Sequence, residues 1–287
     1  FRSNRPLTEV PAAVATLDTK SLNRFSNTNL LPAVNTLPGI RMEERSPGSY
    51  RFSVRGSLLR SPFGVRNVKF YWNGLPLTDG GGNTYLNLLD FNAVGSMEVI
   101  KGPGASLYGA GTGGVVLLNS PLATDESSQF SLQFGSDGLF RLQASKSFSV
   151  SPKSHLSTRA AFQQADGYRE QSAMNRTSAG IDWRYTIGDE STLTTSYLYS
   201  NLYYQTPGGL TKVQFEANPR QARPGTGIFP GSVEQQAAVS NKTHLISSLY
   251  ETTIQSNILV NIGAIASYTD FANPTIRNYE ERTESNI

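Results

Sequence analysis

The chain contains no cysteine, which excludes a disulfide framework and any thiolate-ligated metal site. Its two histidines, His155 and His244, stand far apart without metal-ligand spacing and are expected to be ordinary strand residues. Charged residues make up only 16%. Lys and Arg are scattered rather than clustered, so the net charge of +3 leaves no nucleic-acid footprint. No apolar run reaches the roughly 18 residues that a membrane-crossing helix needs. No secretory leader is visible, as expected of an exported chain after cleavage. A Walker A loop and a Ser-His-Asp set are also missing, and no carboxylate pair sits in a recognisable setting. No catalytic constellation stands out, and neither a cofactor nor a metal is expected.

What the chain does hold is glycine (26), tyrosine (13) and phenylalanine (14) in 287 residues, enough for one large or two ordinary domains. Apolar residues account for 38%, below the roughly 45–50% of soluble globular domains. Few charges among many small polar and aromatic residues favour strands and turns over helices. A transmembrane β-barrel has this profile because alternate strand residues face a polar lumen. A secreted β-sandwich shares it, so composition alone leaves both open.

The chain divides into two grammars. Residues 1–122 read as a compact α+β unit. Residues 9–17 predict a strand, and Asp18 or Thr19 caps a short helix through Leu22 and Phe25. A second short helix is predicted over 27–37, with Asn27 or Thr28 as cap, Pro32 in its first turn and Pro38-Gly39 as stop. Extended pieces follow at 40–44, 51–55 and 65–72. Asn73-Gly74 is the strongest short hairpin signal, since both positions of a type I′ turn need positive φ. Residues 85–91 predict a helical turn ahead of a strand near Met97–Ile100.

Residues 123–287 alternate with period two. Phe130, Leu132 and Phe134 interleave with Ser131 and Gln133, and Ile181, Trp183, Tyr185 and Ile187 with Asp182, Arg184 and Thr186. Strands of about 10 residues, apolar outward and polar inward, suit a bilayer-spanning antiparallel barrel. Short turns near 151–153, 188–190 and 255–257 alternate with long connections near 165–175 and 205–236, as bacterial barrels alternate inner turns with outer loops. About seven strands are expected after residue 125, against the roughly 22 of a plugged barrel, so the wall is expected to stop short of closure.

The most telling stretch is Ser96–Ser120, with glycine at 102, 104, 109, 111, 113 and 114. Gly109-Ala-Gly-Thr-Gly-Gly114 satisfies G-x-G-x-x-G, but a strand-like Val115-Val-Leu-Leu follows where a dinucleotide site needs a helix. Met97-Glu-Val-Ile-Lys-Gly-Pro103 resembles the "IEVLRGP" of TonB-dependent outer-membrane receptor plugs, with Lys101 in place of Arg. Leu37-Pro-Gly-Ile40 is similar to the family's "LPGV", and Phe52-Ser-Val-Arg-Gly56 to its strand ending in Arg-Gly. Val68–Leu77 resembles "VLVDGVPL", with Asn73 where Asp is usual. Tyr108-Gly109 and Gly113-Gly114 complete the order.

The resemblance implies a non-enzymatic receptor of the bacterial outer membrane. Its α+β plug (1–122) would block a transmembrane barrel whose first strands occupy 123–287. The ferric dicitrate and siderophore types are nearest. Gly56, Gly74, Gly102, Pro103, Tyr108, Gly109, Gly113 and Gly114 are then structural plug positions. Arg55 and Lys101 become clamp cations facing barrel carboxylates of later strands, with Glu98 a further member of that clamp. Arg60, Phe63, Asn83 and Tyr85 lie on loops facing an anionic ligand such as a ferric chelate, and the long 205–236 connection can cover that site. The implied partners are the inner-membrane TonB complex, outer-membrane lipid and the ligand. Residues 1–8 hold no TonB-contacting box, which is expected upstream. Other readings stay open: an uncoupled component of a secretion or attachment assembly, or a receptor for carbohydrate, cobalamin or haem.

Overall fold

The computed structural model describes residues 6–57, 65–109, 111, 113–122, 125–255, 258–277 and 279–287. The first part begins with a 3-10 turn at Leu7–Glu9, then β1 (Ala13–Leu17), and single-turn helices α1 (Thr19–Leu22) and α2 (Leu31–Val34). β2 (Ile40–Ser46), β3 (Ser49–Val54), β4 (Val68–Trp72) and β5 (Leu75–Pro76) follow. Two further 3-10 turns (Leu86–Leu88, Phe91–Ala93) precede β6 (Ser96–Lys101), α3 (Ala105–Tyr108) and β7 (Gly114–Asn119).

The first strand is shorter than its sequence pattern, because Pro11 cannot donate to a ladder and residues 7–9 coil into the 3-10 turn. Asp18 caps α1 as expected, its Oδ1 accepting from Ser21 N at 2.7 Å. The helix predicted over 27–37 contracts to one turn. Its start is set by Asn29, whose Oδ1 accepts from Leu31 N, and not by Asn27 or Thr28. Asn73 and Gly74 take φ of 46° and 81° and join β4 to β5 as the hairpin signal requires. The turn predicted near 85–91 resolves into the two 3-10 turns.

Five strands form one sheet in the order β1-β6-β7-β4-β5, with β4 and β7 parallel and the other pairs antiparallel. β2 and β3 make a separate hairpin. Gly114 lies where β7 passes closest to β6. At φ 144° a Cβ there would sit 2.4 Å from Ile100 O, so only glycine fits.

The second part is an eight-stranded antiparallel meander: β8 (Ser127–Phe134), β9 (Phe140–Ser151), β10 (Ser154–Ala165), β11 (Met174–Ile187), β12 (Ser191–Gln205), β13 (Ala238–Ile254), β14 (Ile258–Asn273) and β15 (Glu280–Asn286). That is one strand more than the pattern suggested. The eighth, β15, reads Glu-Glu-Arg-Thr-Glu-Ser-Asn and lacks the apolar alternation that marked the others. α4 (Lys212–Ala217) lies within the 206–237 connection. Short turns gather at one end of the wall and the long connections at the other, as predicted.

The two faces of this wall differ in physical kind. Phe130, Phe134, Ile181, Ile246 and Ile262 point outward and are largely exposed. Their strand neighbours Arg176, Ser178, Asp182, Ser247 and Leu245 point inward and are buried against the first part. Trp72, Phe70 and Val99 of the inner unit share one apolar cluster with Leu198 and Leu245 of the wall. Each large side chain so enclosed contributes about 1.5–3 kcal/mol. The inner unit's core is therefore completed by the wall.

Candidate functional site

The deepest polar contact between the two parts is built around Asp90. Its position is local: it caps the 3-10 turn at Phe91–Ala93, Oδ1 accepting from Asn92 N at 3.0 Å. Arg141 of β9 grips the same carboxylate with both terminal nitrogens, Nη2 to Oδ1 at 2.7 Å and Nη1 to Oδ2 at 2.9 Å. Arg176 Nη1 of β11 stands 3.8 Å from Oδ2. All three side chains are at most 2% exposed.

Strand register explains the convergence. Arg141 pairs with Gln163 of β10, and Gln163 with Arg176, so the three share one inward-facing row. Gln163 Oε1 and Gln143 Oε1 accept further bonds from Arg141. Burial alone would raise the Asp90 pKa. The hydrogen bonds and charge of Arg141, with the charge of Arg176, outweigh it and hold the carboxyl below its ordinary value.

A second contact runs through the Asn73-Gly74 turn. Asn73 Nδ2 donates to Ser120 Oγ at 3.1 Å and to Ser196 Oγ on β12 at 2.9 Å. Ser196 Oγ donates in turn to Asp182 Oδ1 at 2.5 Å, and Asp182 is ion-paired with Arg159 of β10. A third contact is apolar. Gly48, at the tip of the β2–β3 hairpin with φ 84°, lies so close to the wall that a Cβ would meet Leu202 Cδ2 at 2.5 Å.

At the end bearing the long connections, a cavity of about 1480 Å³ opens between the inner unit and the wall. Arg66, Asp79, Asn83 and Tyr85 line it from the inside, Arg169 and Arg282 from the wall. Arg66 Nε donates to Asn83 Oδ1 at 2.5 Å. Burial raises the Tyr85 pKa, helped by the nearby charges of Glu284 and Asp79. Arg282 is paired with Glu280 and Glu284, and among the described residues no cluster of His, Asp or Glu could hold a metal ion.

An α+β unit lodged against the polar face of a meander whose outer side is apolar and exposed narrows the possibilities sharply. Residues 6–116 match the family model for the TonB-dependent Receptor Plug Domain. Residues 6–116 are a plug domain of the TonB-dependent receptor type. The meander that follows has the fold of the opening arc of such a receptor's barrel.

Among curated proteins, the Vitamin B12 transporter BtuB of Vibrio vulnificus is 25% identical over 169 residues, 58% of this chain and 27% of that protein. The chain thus spans about a quarter of that relative's length. Among solved structures, the ferric citrate transporter FecA superposes with a TM-score of 0.75 at 18% identity, covering 92% of this chain and 41% of FecA. The ferric yersiniabactin uptake receptor FyuA from Yersinia pestis gives 0.74 at 15% identity, covering 91% of this chain and 41% of FyuA. At such identities these two likenesses speak to fold.

Within this receptor fold the sequence-chosen residues fall into separate places. Arg55 (φ 50°) lies at the end of β3, its backbone N–H bonded to Gly39 O at 2.7 Å. Lys101 Nζ donates to Pro38 O at 2.7 Å. The Arg55 backbone and the Lys101 ammonium therefore meet the plug's own 38–39 turn, and among the described residues neither side chain forms an ion pair with β8–β15. Glu98 sits on β6 opposite Thr16 and Leu117.

Gly56, Gly102 and Gly109 adopt positive φ in plug turns, Pro103 follows β6, and Gly113 packs against Ser57. Tyr108 is buried, its ring edge-on to Tyr71 at 5.4 Å. Asn83 and Tyr85 reach the outer cavity, whereas Arg60 and Phe63 lie outside the described residues.

Sequence reasoning missed Asp90, Arg141, Arg176, Asp182 and Arg159. A signal existed. In a chain so poor in charge, Arg141, Arg159, Arg176 and Asp182 all fall on the polar phase of period-two strands, and none has the solvent that a lumen-facing charge needs once a plug fills the lumen.

Proposed function

We propose that the full receptor actively imports a scarce ligand, a ferric chelate, with the plug gating the barrel and the inner-membrane TonB complex pulling on the plug. The observation that supports this most is the pairing of a firm joint with an entrance. Asp90 and Arg141 fasten the plug in dry surroundings, and the cavity faces the end of the wall that carries the long loops. A buried ion pair suits a gate, since it adds little net stability yet resists one-sided separation.

In this reading residues 1–122 act as the plug and 123–287 as the start of the transmembrane wall, bounded by lipid. Asn83 and Tyr85, with Arg60 and Phe63 on the neighbouring loop, contact the ligand. Arg55 and Lys101 clamp the plug against carboxylates of later strands, with Glu98 as a further member of the clamp. Uptake of a radiolabelled ferric chelate by cells expressing the receptor tests it: uptake should vanish when the proton gradient is collapsed. Accumulation that survives the collapse overturns the coupled mechanism.

The sequence likeness to a vitamin B12 transporter favours a second reading, a cobalamin-type ligand. Binding of ferric citrate and of cyanocobalamin to the purified receptor separates the two.

A further inference from the structure

The 206–237 connection, expected from sequence to be a loop able to cover the site, is bonded to both of its neighbours. Thr206 N donates to Ala237 O at 2.8 Å and closes its neck. Arg223 N bonds Pro207 O at 2.7 Å, Ser232 N bonds Arg223 O at 2.9 Å, and Ala237 N bonds Ser232 O at 3.0 Å. Ala222, Ser232 and Gln235 are buried, giving the segment a small interior of its own. α4 carries a capping box formed by Thr211 and Gln214.

Two arginines bind it to the adjoining connections. Arg169, between β10 and β11, donates from Nη1 to Gly208 O at 2.8 Å, and from Nε and Nη2 to Gln221 O at 3.1 and 2.9 Å. One guanidinium therefore joins two points of the segment that lie 13 residues apart in sequence. Arg220 reaches the other way, to Asp137 Oδ1 of the β8–β9 turn at 3.2 Å, with its guanidinium 4.4 Å over the Tyr168 ring. Glu170 is bonded twice, its N to Arg220 O and its Oε2 from Ala222 N. On the far side Ile276 N bonds Gln235 O at 3.0 Å.

We propose that residues 206–237 are a preformed, fixed wall of the outer cavity and not a closing cover, and that Arg169 and Arg220 are the positioning residues that hold it. A segment whose backbone carbonyls are taken by its neighbours would have to break several charge-assisted bonds together before it could swing. On this side the shape presented to a ligand exists before the ligand arrives. Arg169 lines the cavity, but its nitrogens are spent on the loop.

Hydrogen exchange read by mass spectrometry on the full-length receptor in detergent tests this. Peptides from 206–237 should exchange about 100-fold or more slowly than the free peptide. Arg169→Ala and Arg220→Ala should each speed that exchange by about tenfold or more, while peptides from β12 and β13 keep their protection. Arg169→Lys should not restore it, since an ammonium lacks the planar fork that spans both carbonyls.

Free-peptide exchange in the native receptor, or unchanged protection in both alanine variants, overturns the proposal. Should the variants lose strand protection as well, trypsin decides on the native protein. The Arg220–Gln221 bond should resist cleavage under native conditions, and cutting there as fast as in the urea-unfolded receptor refutes a fixed wall.

Discussion

Asp90 and Arg141 meet as a two-pronged pair, 2.7 and 2.9 Å, across 51 positions of sequence and with less than 2% of either side chain exposed. Here the plug supplies the carboxylate and the wall the cations, because inward positions on β9 and β11 fall opposite the 3-10 turn that Asp90 caps.

Removing one partner should therefore cost much more than removing both. Asp90→Asn leaves the buried Arg141 guanidinium without its carboxylate and should destabilise the plug by about 3–5 kcal/mol. Asp90→Leu combined with Arg141→Leu should cost clearly less. Trp72 is buried in the plug core, so urea titration by fluorescence, compared with a Trp72→Phe control, reports plug unfolding. A double-variant loss equal to the sum of the two single losses would show that the pair is not coupled.

The same contact sets a pH dependence. The native pKa of Asp90 lies below its ordinary 3.8, so its contribution is complete above that value. It is lost as pH falls through the lowered native value. The gap in urea midpoint between wild type and Asp90→Asn should be constant near neutrality and shrink below about pH 4. A gap that widens on acidification contradicts the assignment.

Arg55 and Lys101 are proposed to face later strands, and charge reversal tests them separately from Asp90. Arg55→Glu or Lys101→Glu in the full-length receptor should loosen the plug and raise single-channel conductance in planar bilayers. Unchanged conductance in both removes them from the clamp. Because Lys101 Nζ also binds Pro38 O, Lys101→Gln serves as a control that retains a donor.

Gly114→Ala should destabilise the plug by roughly 2–4 kcal/mol, through backbone strain and collision with Ile100 O. Gly56→Ala, at φ 79° with open space around its Cβ position, should cost only about 1 kcal/mol. Thermal melts of the two variants give the comparison, and similar shifts would mean that strain without crowding explains both.

Much of the architecture could be read locally. The Asn73-Gly74 turn, the Asp18 cap and the alternation of Ile181, Trp183 and Tyr185 each depend on neighbours within a few residues. Outward and inward phases along β11 were legible for the same reason, since a strand's period is a property of its own backbone. β15 escaped because its charged sequence lacks apolar alternation, and its pairing with β14 shows only in the ladder and in Arg282 lying over the Phe271 ring.

Sequence by itself determined the two-part organisation, the lipid-facing phase of the wall and the glycine turns of the plug. Each is a short-range consequence of side-chain size and polarity. Tertiary structure alone decided that Asp90 faces Arg141 and Arg176, that Leu198 and Leu245 complete the plug's core, and that Arg169 holds the 206–237 connection in place. Those pairings follow from strand register and from the angle at which the plug meets the wall, which arise only when distant segments pack together.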